Sequence, residues 1–292
     1  MTARLSQPPG TIGACATLAC LWEATAAKPG NVYRGADFAD MSYADFLASA
    51  AAIGPVFDHA GELPIGRLVL DAARATRRAV ATNTNLGTLL LLAPLANAAA
   101  AGTVREAIDA ELAGATVEDA RLAYEAIRTA APGGLGRAAQ SDVADQPDVT
   151  LLEAMRLAAD RDLIARQYTT AFADVFATAG AITAHAAAGK PLADAIVWAH
   201  VELMAREPDT LIARKCGVDA ARESAARAGR VLDLVRDDGE DFALAAAELD
   251  FWLRGDGNRR NPGATADVIA AALFVLLVGD ELAWPVRFYG GG

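Results

Sequence analysis

TNTNLGTLLLLAPLANAAAA, residues 82–101, decides the fold. Four polar residues, Thr82-Asn83-Thr84-Asn85, lead directly into leucines and alanines that carry no charge. A charge-free amphipathic surface cannot face water on one side, so a helix of this composition is buried on most faces. NPGATADVIAAALFVLLVGDEL, residues 261–282, repeats the design: a polar, turn-forming entry followed by an apolar helix. Two such segments predict central helices over 84–101 and 264–282, around which amphipathic helices must pack.

The rest of the chain supplies them. Positions 12, 15, 18, 19 and 22 form one apolar stripe, and Tyr43, Phe46, Leu47, Ala50 and Ile53 another; both follow the three- and four-residue steps of a helix. Ser42, with Asp45 three residues on, reads as the N-cap of the second stripe. Further helices are predicted over 64–81, 104–113, 116–130, 151–188, 192–206, 218–237 and 240–254. Alternating β-branched runs are missing, and Gly and Pro gather between the helices, as at Lys28-Pro29-Gly30 and Asn261-Pro262-Gly263. The expectation is an all-α protein, a single multi-helix bundle spanning 1–292. Residues 132–148, rich in Gly, Pro, Asp and Gln, read as a long surface loop over a catalytic cleft in preference to a domain linker.

Composition narrows the function. With 26 basic and 37 acidic residues among 292, the net charge is −11, which argues against a general nucleic-acid or anionic-membrane binder. The runs 86–93 and 268–278 are shorter than the about 20 apolar residues a bilayer requires. Met1–Gly10 carries no export signal, and three cysteines without a CxxC suit reduced thiols in the cytoplasm. His59, His185 and His200 lie too far apart in sequence for a zinc motif.

What needs explanation is the chemistry at the turns. Lys28-Pro29-Gly30-Asn31 follows a helix carrying Glu23, and Arg34, Asp37 and Asp40 come soon after. Proline fixes this backbone, glycine permits close approach, and lysine supplies a point charge. Asn83, Thr84, Asn85 and Gly87 open the first central helix, where exposed amides attract anions. Asn261, Gly263, Thr265 and Asp267 open the second, with Arg259 and Arg260 just ahead. Asp209-Thr210 with Arg214 and Lys215 adds a further polar helix start. Together these suggest one polar pocket. Glu23, Asp40, Asp209 and Asp267 amid basic residues would suit a Mg²⁺–phosphate ligand, because Mg²⁺ bridges carboxylates to phosphate oxygens. Neither a Walker A sequence nor a GxGxxG fingerprint is present.

These pieces resemble the triphosphoribosyl-dephospho-CoA synthase family. They are Glu23 with Lys28-Pro29-Gly30-Asn31-Val32, Asp37-Phe38, Asp40, Phe46 and Ser49, then Asn83-Thr84-Asn85-Leu86-Gly87. Asp209-Thr210 with Lys215 and Gly217, and Pro262-Gly263 with Thr265-Ala266-Asp267, follow in the family's order. The resemblance implies an all-α transferase in which the 2′-hydroxyl of 3′-dephospho-CoA attacks C1 of the ATP ribose, adenine leaves, and the triphosphate stays on the transferred sugar. It also implies Mg²⁺, with ATP as a substrate. Lyase-pathway members carry Asn-Thr-His-Lys-Gly where this chain has Asn83-Thr84-Asn85-Leu86-Gly87, Asp-Thr-Asn where it has Asp209-Thr210-Leu211, and Arg at Lys215. The pattern is closer to a divergent branch of archaea and of bacteria with methanopterin-dependent one-carbon metabolism.

The expected roles are Glu23 or Asp209 as base or metal ligand, and Asp40 and Asp267 as further Mg²⁺ ligands. Lys28 and Lys215 would act as phosphate cations, and Gly30, Asn83, Thr84, Asn85, Asn261, Gly263 and Thr265 would line the nucleotide site. The alternatives are a related transfer in one-carbon cofactor biosynthesis and a nucleotide-binding protein without catalysis. An apolar helical surface would also allow a homodimer.

Overall fold

A computed structural model describes residues 4–5, 7–130, 147–235 and 241–290. Among these residues the chain forms fourteen helices and a two-stranded antiparallel ribbon, β1 (Arg4–Leu5) with β2 (Val286–Arg287). The predicted all-α class is borne out. Most of the predicted surface loop 132–148 lies outside the described residues.

The first six helices are α1 (Ile12–Thr25), α2 (Tyr43–Phe57), α3 (Ile65–Ala79), α4 (Leu86–Ala101), α5 (Val104–Gly114) and α6 (Val117–Ala130). Ser42 caps α2 in a full capping box, its hydroxyl accepting from Asp45 N while Asp45 Oδ2 accepts from Ser42 N. The segment predicted as one helix over 151–188 is three: α7 (Leu151–Ala158), α8 (Leu163–Thr169) and α9 (Ala173–Ala187). Asp162 starts α8 by accepting from Ile164 N and Ala165 N, and Ala171 and Phe172 take left-handed backbone (φ 48° and 61°) before α9. Apolar residues continue across both breaks at helical spacing, so periodicity alone hides them. The remaining helices are α10 (Leu192–Arg206), α11 (Thr210–Cys216), α12 (Val218–Asp233), α13 (Phe242–Arg254) and α14 (Gly263–Val278). The last ends four residues before the predicted limit of 282. Gly279 and Asp280, the latter at φ 50°, close it.

α4 and α14 are the buried centre. From Thr88 to Ala98 every residue of α4 is buried, as is every residue of α14 from Val268 to Leu277. Pro94 sits inside α4, where a proline removes the hydrogen bond to the carbonyl four residues back. That carbonyl, Leu90 O, instead accepts the hydroxyl of the buried Tyr168 at 2.6 Å. Around this centre α1, α3, α6, α9 and α10 contribute to one large core. A second, smaller core (Val201, Met204, Ile212, Ala221, Ala228, Val231, Ala245, Leu249, Leu253) lies among the end of α10 and α11 to α13. No single described helix is long and apolar enough to cross a membrane.

Candidate functional site

The entries of α4 and α14 meet. Thr88 Oγ1 donates to Asp267 Oδ1 at 2.5 Å, joining the two helices across 179 residues of sequence. Gly87 makes this approach possible, since a Cβ there would lie 2.1 Å from Asp267 Oδ2. Burial raises the Asp267 carboxyl to about 8, and the negative charges of Glu23 and Asp209 push the same way against the Thr88 hydrogen bond. Cys20, one turn before Glu23 on α1, lies in the same field: burial, then Glu23 and Asp267, push its thiol up. Glu23, Asp267 and Cys20 therefore share one polar junction beneath two helix N-termini.

Beside this junction the side chains are strongly committed. Lys28 is fully buried; its Nζ lies 2.9 Å from Glu23 Oε1 and donates to the carbonyls of Glu23 and Ala26. It is a buried counter-ion of Glu23, with no exposed surface for a phosphate. The histidine of α10, His200, is likewise fully buried against this turn. Desolvation, then the Lys28 charge, lowers its pKa to about 3, so it is neutral at every ordinary pH.

Asp209 is 1% exposed, and its carboxylate is fully engaged. Oδ1 accepts from Leu211 N at 2.8 Å and Ile212 N at 3.0 Å, capping α11. Oδ2 accepts from Thr265 N and Thr265 Oγ1, both at 2.8 Å, tying α11 to the start of α14. Burial raises its pKa in spite of these four bonds. Asp209 and Thr265, expected as base and substrate contact, are here each other's partners.

The Lys28–Asn31 turn packs on the entry to α14. Asn31 Nδ2 donates to Asn261 Oδ1 at 2.7 Å. Gly30 has φ 79°, and a Cβ there would meet Pro262 Cδ at 2.7 Å. A Cβ on Gly263 would meet Leu211 Cδ2 at 2.5 Å. On the α4 side, exposed Asn83 accepts from Leu86 N through Oδ1, Thr84 Oγ1 donates to Ser49 Oγ, and buried Asn85 donates to Thr76 Oγ1. The three polar residues thus hold the entry of α4 in place, and only Asn83 is exposed. Leu86 packs against the core.

Lys215 and Asp40 form an exposed edge next to Asp209. Burial of the lysine stem and the neighbouring Arg214 lower the Lys215 pKa, while Asp40 and Asp209 oppose this. Asp40 thus lies within electrostatic reach of Lys215, whereas the charges that act on Asp267 are those of Glu23 and Asp209. Among the described residues no group of three or more His, Cys, Asp or Glu side chains is gathered to hold a metal. Two carboxylates, Glu23 and Asp267, do act on each other, and one or two carboxylates with phosphate oxygens are what Mg²⁺ ordinarily takes.

Sequence reasoning missed Thr88, Cys20, Asp250 and Arg254. Asp250 and Arg254 had a signal, an acid and a base four apart on a helix, but that pattern is usually a solvated surface pair. Instead, Asp250 Oδ1 accepts from Gly30 N at 2.7 Å while Arg254 Nε donates to both Asp250 oxygens at 2.9 Å. A depression of about 480 Å³ lies elsewhere, between α5 and the start of α9, lined by Arg105, Thr170 and Phe176 and without a carboxylate.

The family model for ATP:dephospho-CoA triphosphoribosyl transferase (CitG) matches residues 9–286. Among solved structures, a crystal structure from Archaeoglobus fulgidus, described as that of a candidate triphosphoribosyl-dephospho-CoA synthase, is similar. It shares 28% sequence identity and a TM-score of 0.64, covering 80% of this chain and 98% of its own. No curated protein matches the sequence.

Proposed function

The chain belongs to the triphosphoribosyl-dephospho-CoA synthase family, which are transferases, and from that premise we propose that it moves the 5-triphosphoribosyl group of ATP to 3′-dephospho-CoA with release of adenine. The bond from the acceptor 2′-oxygen to ribose C1 forms as the bond from C1 to the adenine nitrogen breaks. The hydroxyl proton leaves the acceptor, and the departing base takes up a proton. We treat residues 1–292 as one functional unit, since the family match crosses both cores.

The observation that carries this reading is the junction of α4 and α14 at Thr88 and Asp267, with Glu23 beside it. Two buried helices there bring their N-terminal, positive dipole ends to one place, which favours a polyanion even though side chains already hold some of the N–H groups, as Asn83 holds Leu86 N and Asp209 holds Thr265 N. Lys215 and Arg214 add exposed positive charge at the neighbouring edge. Glu23 and Asp267 would hold Mg²⁺, which would supply charge neutralisation for the triphosphate. A cation there would offset the burial and the neighbouring negative charges that raise the Asp267 pKa, so loading the site would release a proton. The side chain of Glu23 is the candidate to stabilise the cationic character at C1. Asp209 serves by holding α11 on α14.

Adenine release from ATP, followed with and without dephospho-CoA, tests the reading. Release that requires dephospho-CoA is the expected result. Release that requires a different acceptor, or ATP binding without release, overturns it. Asp267→Asn is the informative variant, and adenine release should fall at least 100-fold. Glu23→Gln is a poorer choice because it strands the buried Lys28 charge, which costs about 3–5 kcal/mol of stability.

A further inference from the structure

We propose that Asp250 and Arg254 are positioning residues: a clamp on α13 that presets residues 28–38 against the start of α14 and thereby sets nucleotide affinity. The inference rests on the reaction assigned above for its link to ATP. Apart from their own ion pair, the bonds and ring contacts of these two side chains among the described residues all go to residues 30–38. Asp250 accepts from Gly30 N at 2.7 Å. Arg254 donates to Asn31 O and, at 3.5 Å, to Ala36 O. Its guanidinium lies 5.2 Å from the Tyr33 ring centre and 5.7 Å from that of Phe38. A pair that served only to fasten α13 to the bundle would reach other helices. This one grips the backbone of a single loop from a position about 220 residues away in sequence.

That loop connects to the site at both ends. Upstream, Lys28 is the buried partner of Glu23. In the middle, Asn31 joins Asn261 at the entry to α14, and Asn31 Oδ1 is buried with no hydrogen-bond partner. A buried acceptor left unpaired in a rigidly held loop is a cost the fold tolerates where a ligand's donor completes it. Downstream, Asp40 answers to Lys215. Releasing the clamp would let the loop leave its binding-competent position for part of the time. Apparent affinity then falls in proportion to the competent fraction, while the bound complex, once formed, reacts as before.

The test compares wild type, Arg254→Lys, Arg254→Ala and Asp250→Asn by steady-state kinetics, by calorimetry with Mg²⁺-ATP, and by hydrogen exchange over residues 28–38. Arg254→Ala should raise the KM for ATP at least 10-fold with kcat within about 3-fold, and added guanidinium should restore much of the loss. Arg254→Lys keeps the charge but not the planar fork, so it should fall between. Exchange over 28–38 should quicken in Arg254→Ala and in Asp250→Asn, with α4 unchanged. An unchanged KM, a loss confined to kcat, or unaltered exchange over 28–38 would overturn the clamp. Should Arg254→Ala fail to fold, Asp250→Asn gives the same readouts with side-chain volume kept. A wild type that neither binds nor turns over ATP would sink the assigned reaction, and exchange over 28–38 would then decide the clamp alone.

Discussion

Asp209, buried, and Asp267, partly buried, both stand at helix entries, and the sequence treats them alike. Hydrogen bonds separate them. Asp209 receives four donors; Asp267 receives the Thr88 hydroxyl and keeps company with Glu23. Asp209→Asn replaces an acceptor oxygen with an amide that points a donor at donors. It should destabilise the protein by about 2–4 kcal/mol, the range for losing charge-assisted bonds and leaving buried groups unpaired, as read by chemical denaturation. Asp267→Asn should act in the opposite sense. A carboxyl whose folded-state pKa is raised from 3.8 to about 8 holds its proton while the unfolded chain loses it. Its contribution is therefore neutral below about pH 4 and increasingly destabilising as pH rises toward 8. The variant should melt close to wild type at pH 4 and at least about 3 °C higher at pH 8, while losing activity. Equal melting temperatures at pH 8 would mean the wild-type carboxyl is not held protonated.

At the scale of the element, the two apolar helices were legible because residues 82–101 carry no charge and residues 268–278 none either, and their polar entries predicted a shared site. The reading could not tell which polar groups at those entries face a ligand and which face each other. Thr265, Asn85 and Lys28 look like binding residues in one dimension and turn out to be internal ties, because their partners (Asp209, Thr76, Glu23) lie on other elements or across a turn. Gly87 is the converse case, a residue with no side chain whose role appears only against Asp267. Alanine is a better helix former than glycine by about 1 kcal/mol, so Gly87→Ala at an open position would stabilise α4. Here the new Cβ meets Asp267 Oδ2, and the carboxylate, being the end of a side chain, can turn aside. The expected result is activity reduced at least 10-fold with little change in melting temperature. A raised melting temperature with full activity would show that the close approach has no functional weight.

Across the whole molecule, the all-α class followed from composition and period, whereas the division of the interior did not. Apolar stripes announce that a face is buried but not against which partner, so the separate small core under α10 to α13 left no trace in the pattern. This division matters because α13 carries Asp250 and Arg254 beside Leu249 and Leu253, the latter pair buried in the small core, with Leu253 also lying against Gly30. The 28–38 loop is thus anchored to the smaller of two cores, and the junction of α4 and α14 to the larger. Leu249→Ala removes a side chain buried in the small core, at a cost of about 2–5 kcal/mol depending on how far the cavity collapses. If the small core supports the loop, hydrogen exchange in this variant should quicken first in α11 to α13 and in residues 28–38, and the KM for ATP should rise. Protection in α4 and in α14 beyond Val268 should persist, because their contacts lie in the other core. A uniform loss of protection would instead mean that both cores open as one cooperative unit, with no independent purchase of the small core on the site.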